Sequence, residues 1–120
     1  MLSLPLPVRI FLCTQPADMR KGFDALAQMV REFLGADPLS GHLFVFRSKR
    51  GDRVKLLWWD TDGYAIWYKR LEEGTFRFPA AAAGHRLEVR AADLAMLLDG
   101  VDLESVRRRK RYRRPTATMQ

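Results

Sequence analysis

Hydrophobic periodicity changes once along this 120-residue chain, and the change restricts it to folds that combine helix with sheet. Phe23, Leu26, Ala27, Val30, Phe33 and Leu34 recur at the three-and-four spacing of one helical face. Asp18 offers an N-cap ahead of them, Gly35 a C-cap after them, and Asp37-Pro38 forbids continuation. From residue 43 onward the pattern is strand-like. Residues 43–47, 53–59, 64–71 and 75–78 are rich in aromatic and branched side chains.

Lys49-Arg50-Gly51-Asp52 and Asp60-Thr61-Asp62-Gly63 both have turn chemistry, each with a glycine available for a left-handed position. Short turns between strands predict an antiparallel meander. Residues 8–14 read as a short strand or extended lead-in ended by Pro16, and residues 85–90 as a fifth strand. Residues 91–99 form a second helix, with Leu94, Leu97 and Leu98 on one face and Gly100 to end it. Residues 80–83, after Pro79, carry little information. The expected architecture is α+β: an antiparallel four- to five-stranded meander sheet packed with one long and one short helix, followed by a flexible basic C-terminal tail. Residues 1–103 are expected to form a single domain, and residues 104–120 a disordered basic tail.

At 48% hydrophobic and 29% charged residues, the chain is far from the composition of disordered proteins and can build a core. Cys13 is the one cysteine, which excludes a disulfide framework and fits a reducing compartment. No run of about 18 apolar residues is present, and the opening residues lack a cationic leader and are broken by Pro5 and Pro7. A cytoplasmic protein without membrane contact is expected.

The net charge of +7 is unevenly placed. Between Glu104 and Arg114 stand Arg107, Arg108, Arg109, Lys110, Arg111, Arg113 and Arg114, leaving the rest of the chain near neutrality. A block of like charges cannot add to a core and calls for an anionic partner or solvent. Within the body, Arg47, Lys49, Arg50, Arg53 and Lys55 face Asp52 alone. Alternation puts Val54, Leu56 and Trp58 on one face of the central strand and Arg53, Lys55, Leu57 and Trp59 on the other, so the second face mixes cations with aromatics. Cations attract phosphates irrespective of sequence, and an exposed Trp or Tyr beside them can stack on a base. These hairpin and tail cations are the candidate nucleic-acid-binding residues, with DNA the expected partner. The bland alternative makes Trp58, Trp59, Trp67 and Tyr68 core and the cations a solvated outer face.

No active site is legible. Asp60, at a strand end, has the position of a nuclease carboxylate, but Asp60-Thr61-Asp62-Gly63 is explained by turn formation. His42 and His85 lack ligand spacing, Cys13 has no partner base, and no glycine-rich phosphate loop exists. Neither cofactor, metal nor small-molecule substrate is expected.

The order of segments resembles a known family. Asp18-Met19-Arg20-Lys21-Gly22-Phe23-Asp24, then Ser40-Gly41-His42-Leu43-Phe44-Val45-Phe46, then Gly51-Asp52-Arg53-Val54-Lys55-Leu56-Leu57-Trp58-Trp59-Asp60 look like the IS66 Orf2 family, also called TnpB of IS66. The likeness continues through Tyr68-Lys69-Arg70-Leu71-Glu72 and Gly74-Thr75-Phe76-Arg77-Phe78-Pro79 to Leu97-Leu98-Asp99-Gly100-Val101-Asp102, and covers residues 8–103. It implies a non-catalytic bacterial accessory protein of a mobile element, encoded beside a separate transposase, which becomes a possible partner. It supplies no catalytic residues. Leu103 stands where relatives often have Trp, and the tail from Arg107 lies outside the shared motif, so the hairpin cations are the better candidates for a family-wide role. Two functions follow: a nucleic-acid-binding accessory factor, or an adaptor that docks on the transposase without touching DNA.

Overall fold

The computed structural model describes residues 8–81 and 83–100. Five strands form one mixed sheet: β1 (Ile10–Cys13), β2 (Leu43–Arg47), β3 (Arg53–Asp60), β4 (Gly63–Arg70) and β5 (Arg86–Val89), in the spatial order β4-β3-β2-β1-β5. Helix α1 (Phe23–Met29) runs directly into a π-helical turn at Val30–Leu34, and α2 (Ala91–Leu98) follows β5.

The meander from β2 to β4 is antiparallel, as its turn chemistry predicts, but β1 pairs with β2 in parallel, Ile10 beside Leu43 and Cys13 beside Phe46. The all-antiparallel expectation is therefore corrected. A connection that contains a helix returns the chain to the same end of the sheet, and a parallel neighbour is the result. β5 then closes the far side antiparallel to β1, with Ile10 opposite Val89.

Ile-Phe-Leu-Cys and Leu-Phe-Val-Phe have no alternation because both strands are central and covered on both faces. On one face Ile10, Leu12, Val45, Val54 and Leu56 pack with Phe76 and with Leu94 and Leu97 of α2. On the other, Phe11, Cys13, Phe44, Phe46 and Leu57 pack with Leu26, Ala27, Val30 and Leu34. The sheet is thus the middle of three layers, with one helix on each side.

Five further expectations change. The helix is not one long α-helix: its second half is wound as a π-turn, ended by Gly35 at φ 58°. Its N-cap is Gly22, while Asp18 serves a turn upstream of the helix. Phe23 lies on the apolar stripe one turn before Leu26, yet it is 49% exposed. Residues 75–78 form no strand; they run as a strap that buries Phe76 against the sheet. Glycine supplies the left-handed position at Gly51, whereas in the second hairpin Thr61 takes it, at φ 59°. The tail at residues 104–120, with Arg107, Arg108, Arg109, Lys110, Arg111, Arg113 and Arg114, lies outside the described residues.

Candidate nucleic-acid interface

The turn between β2 and β3 is built around a buried serine. Ser48 Oγ accepts hydrogen bonds from the backbone N–H groups of Gly51 and Arg53, both at 3.1 Å, and donates to Asp52 Oδ1. With one side chain organising the backbone, Lys49 and Arg50 are left at the exposed tip. Gly51, at φ +83°, stands so close to residues 75–76 that an added Cβ would come within 3.3 Å of Thr75 Cβ. Its carbonyl accepts from Phe76 N–H at 2.7 Å, and Asp52 O from Leu71 N–H at 2.8 Å, so the strap braces the turn from behind.

A second loop, residues 14–22, lies alongside. Ala17 N–H donates to Arg47 O, and the Arg47 guanidinium reaches Thr14 O and Ser48 O while lying over the Phe78 ring at 5.7 Å. In the same loop, Asp18 Oδ1 accepts from Arg20 N–H at 2.8 Å, and the two side chains form an ion pair at 2.6 Å. The Arg20 hydrogen bonds hold the Asp18 carboxyl well below the usual carboxylate range, and the same pair raises Arg20 above the ordinary arginine value.

Lys55 holds this loop from beneath. Its alternation puts it on the α1 face, where it is buried, and its ammonium donates to Met19 O at 2.7 Å and Lys21 O at 2.8 Å. The charge also sits 4.7 Å from the centre of the Tyr68 ring. Burying an ammonium is costly unless its donors are used, and here two carbonyls and an aromatic face use them.

Turn and loop enclose a cleft of about 680 Å³ whose lining includes Pro16, Asp18, Arg20, Lys49, Arg50 and Arg53. Among the described residues, Lys49 and Arg50 form no ion pair. Arg53 also lines a shallower hollow of about 350 Å³ with Tyr68, Arg70 and Glu72. Of the hairpin cations anticipated from sequence, Lys49, Arg50 and Arg53 thus converge on one surface. Arg47 and Lys55 are held inside by backbone carbonyls instead.

Arg20, Tyr68 and Arg70 belong to the same surface and are absent from the sequence-derived set. Arg70 could have been found: a two-residue turn at Thr61-Asp62 pairs Asp60 with Gly63, and counting back along both strands puts Arg70 opposite Arg53. The aromatics divide. Trp58 and Trp67 are partly buried against the sheet core, Trp59 meets Tyr64 edge-on at 5.1 Å, and Tyr68 is 47% exposed.

Asp60 ends β3 and Asp62 lies within the exposed second turn, and no cluster of three or more His, Cys, Asp or Glu that could hold a metal occurs among the described residues. His42 Nδ1 accepts from Arg9 N–H at 3.0 Å, and His85 packs edge-on against Phe33. Cys13 is buried in the α1-side core, and burial pushes its thiol above the ordinary value.

The family described as IS66 Orf2 like protein matches residues 8–108, which include every residue of this surface. The chain belongs to the IS66 Orf2-like family. Membership makes it an insertion-sequence accessory protein associated with transposition machinery. The family match runs past the motif residues to include Arg107 and Arg108, so the first two tail cations fall within it. Among its relatives are two proteins of Sinorhizobium fredii. "Uncharacterized protein y4hO" is 42% identical over 95 residues, 79% of this chain and 82% of that protein. "Uncharacterized protein y4jC" is 40% identical over 109 residues, covering 91% and 92%. No solved structure matches the chain. No helix among the described residues of this IS66 Orf2-like protein is long and apolar enough to cross a membrane.

Proposed function

We propose that this protein is a non-catalytic accessory factor of an IS66-type element that binds DNA in the cytoplasm through the cleft between residues 14–22 and 48–53. The observation that carries the proposal is the convergence of Arg20, Lys49, Arg50 and Arg53 on one cleft, with Lys49 and Arg50 free of ion pairs among the described residues. Surface cations without carboxylate partners lose little on meeting a phosphate, and phosphate contacts supply most sequence-independent affinity. The cations Arg107, Arg108, Arg109, Lys110, Arg111, Arg113 and Arg114 add a second, sequence-tolerant anchor. Arg47 and Lys55 support the surface by holding its loops.

The test is a fluorescence-anisotropy titration against an element-end duplex over a salt series, with the full chain and a form ending at Leu103. Lys49, Arg50 and Arg53, which form no ion pair among the described residues, predict a slope of log affinity on log salt of about −3 for the truncated form, approaching about −4 where Arg20 exchanges Asp18 for a phosphate. The full chain is expected to be steeper by up to about 6 if all tail cations engage. Absence of salt-sensitive binding by either form overturns the proposal and leaves the transposase as the partner to which this surface docks.

A further inference from the structure

The hairpin of β3 and β4 ends in an arrangement that costs energy in the free protein. Arg53 and Arg70 are directly opposite each other, and like charges so placed repel. Two residues nearer the turn on each strand, Lys55 is opposite Tyr68, so Arg53, Arg70 and Tyr68 share the α1-side face of the sheet. Arg53 Nη1 reaches Tyr68 Oη at 3.5 Å. Among the described residues Arg70 has one acidic partner, Glu72, at 3.1 Å, and the side chains of that pair are 57% and 80% exposed. An ion pair so open to water is weak and readily exchanged.

Trp58 and Trp67 are on the opposite face and partly buried against the α2-side core, whereas Tyr68 is 47% exposed on the α1-side face. With the Lys55 ammonium 4.7 Å from its centroid, it is an aromatic platform held from within by a cation and flanked outside by two guanidinium groups. A hollow of about 350 Å³ lies between Arg53, Tyr68, Arg70 and Glu72. Inside a paired duplex no base face is open to such a platform, because the bases are stacked on one another, and only the terminal pair exposes one. An unpaired nucleotide presents both a base face and a phosphate.

We infer that Tyr68, Arg53 and Arg70 form a subsite for an unpaired nucleotide, in which the base stacks on the Tyr68 ring and a phosphate bridges the two opposed guanidinium groups in place of Glu72. The inference rests on the nucleic-acid reading of the adjoining cleft and deepens it, since the shared residue Arg53 makes the two surfaces continuous: the cleft takes backbone phosphates and the subsite takes a splayed end. The ligand is accordingly a duplex with a single-stranded extension.

Anisotropy titration of the full chain against a blunt duplex and the same duplex carrying a short single-stranded overhang tests this, with Tyr68→Leu and Tyr68→Phe measured beside the wild type. The wild type is expected to prefer the overhang by about ten- to a hundredfold, the usual worth of one stacked base. Tyr68→Leu should abolish that preference for the overhang over the blunt duplex, and Tyr68→Phe should retain it. A matching ribonucleotide overhang, run in parallel, names the sugar; the subsite stands if either overhang is preferred and falls if neither is. Equal preference in wild type and Tyr68→Leu overturns the subsite and leaves the cleft intact. Absence of binding to every probe overturns both. Should Tyr68→Leu fold poorly, quenching of a 2-aminopurine in the overhang by wild type and by Tyr68→Phe decides the matter, since an unstacked base is not quenched.

Discussion

Replacing Lys55 by Met keeps the aliphatic stem and removes the ammonium, which isolates the two hydrogen bonds that hold residues 19–21 to the sheet. Those bonds, to Met19 O at 2.7 Å and Lys21 O at 2.8 Å, are short and charge-assisted, a class worth about 1.5 to 3 kcal/mol each. Met19 and Lys21 are only half-buried, so water can reach the released carbonyls and the low end applies. Loss of the contact with the Tyr68 ring adds about 0.5 to 1 kcal/mol. The net expectation is a destabilisation of about 3.5 to 4 kcal/mol. For a domain with about 90 described residues this is a fall in Tm of about 14 °C or more. Urea unfolding followed by tryptophan fluorescence measures it. The change should appear in the midpoint with an unchanged denaturant slope, because the compactness of the two end states is preserved. A change below about 0.5 kcal/mol would refute the claim that Lys55 clamps the loop and return it to the candidate phosphate-binding cations.

Other consequences are as direct. Cys13 has no exposed surface and a thiol pushed upward by burial, so Ellman's reagent should label it at neutral pH only after denaturant is added; rapid labelling of the native protein would contradict its place in the core. The carboxyls of Asp18 and Glu88 are both lowered by their arginine partners. Their contribution is therefore fully present above the unfolded carboxylate range, near pH 4, and is lost as pH falls from there toward the folded values. Acid titration of the Arg9→Leu variant, which lacks the guanidinium that binds Glu88 at 2.6 Å, should show a smaller loss of stability over that acid window than the wild type. Thr61→Asn should raise stability by about 1 kcal/mol in urea unfolding, because a β-branched residue at φ 59° is strained and Asn tolerates that conformation.

What was legible in the sequence was whatever is local. Gly35 ends the helix because a left-handed residue must follow its last turn, and the turns at Gly51 and at Thr61-Asp62 dictate the β2–β4 meander and its register. The parallel pairing of β1 was hidden because a four-residue apolar run carries no information about its partner. Its lack of alternation did signal cover on both faces. Thr75, Phe76 and Phe78 have strand-forming side chains, and Phe76 and Phe78 do pack on the α2-side core, but the Phe76 N–H bonds to a turn instead of a neighbouring strand. The candidate surface was half visible. Lys49, Arg50 and Arg53 are local to one turn and Arg70 follows from the register of the next hairpin, whereas Arg20 reaches the surface only through tertiary placement, and the commitment of Lys55 to two carbonyls has no sequence signature at all.

The seating of β1 between β2 and β5 has a consequence for the order in which the domain can assemble. Its partner Val89 lies 79 residues beyond Ile10, a span that takes about 4 to 16 s to synthesise at ordinary ribosomal rates. Throughout that interval Ile-Phe-Leu-Cys is a sticky segment with at most one of its two edges satisfied, while the β2–β4 meander can close on local contacts alone. The nascent chain is therefore most exposed to chaperones, and to misassociation with other copies, through its earliest strand, until β5 arrives to complete the sheet.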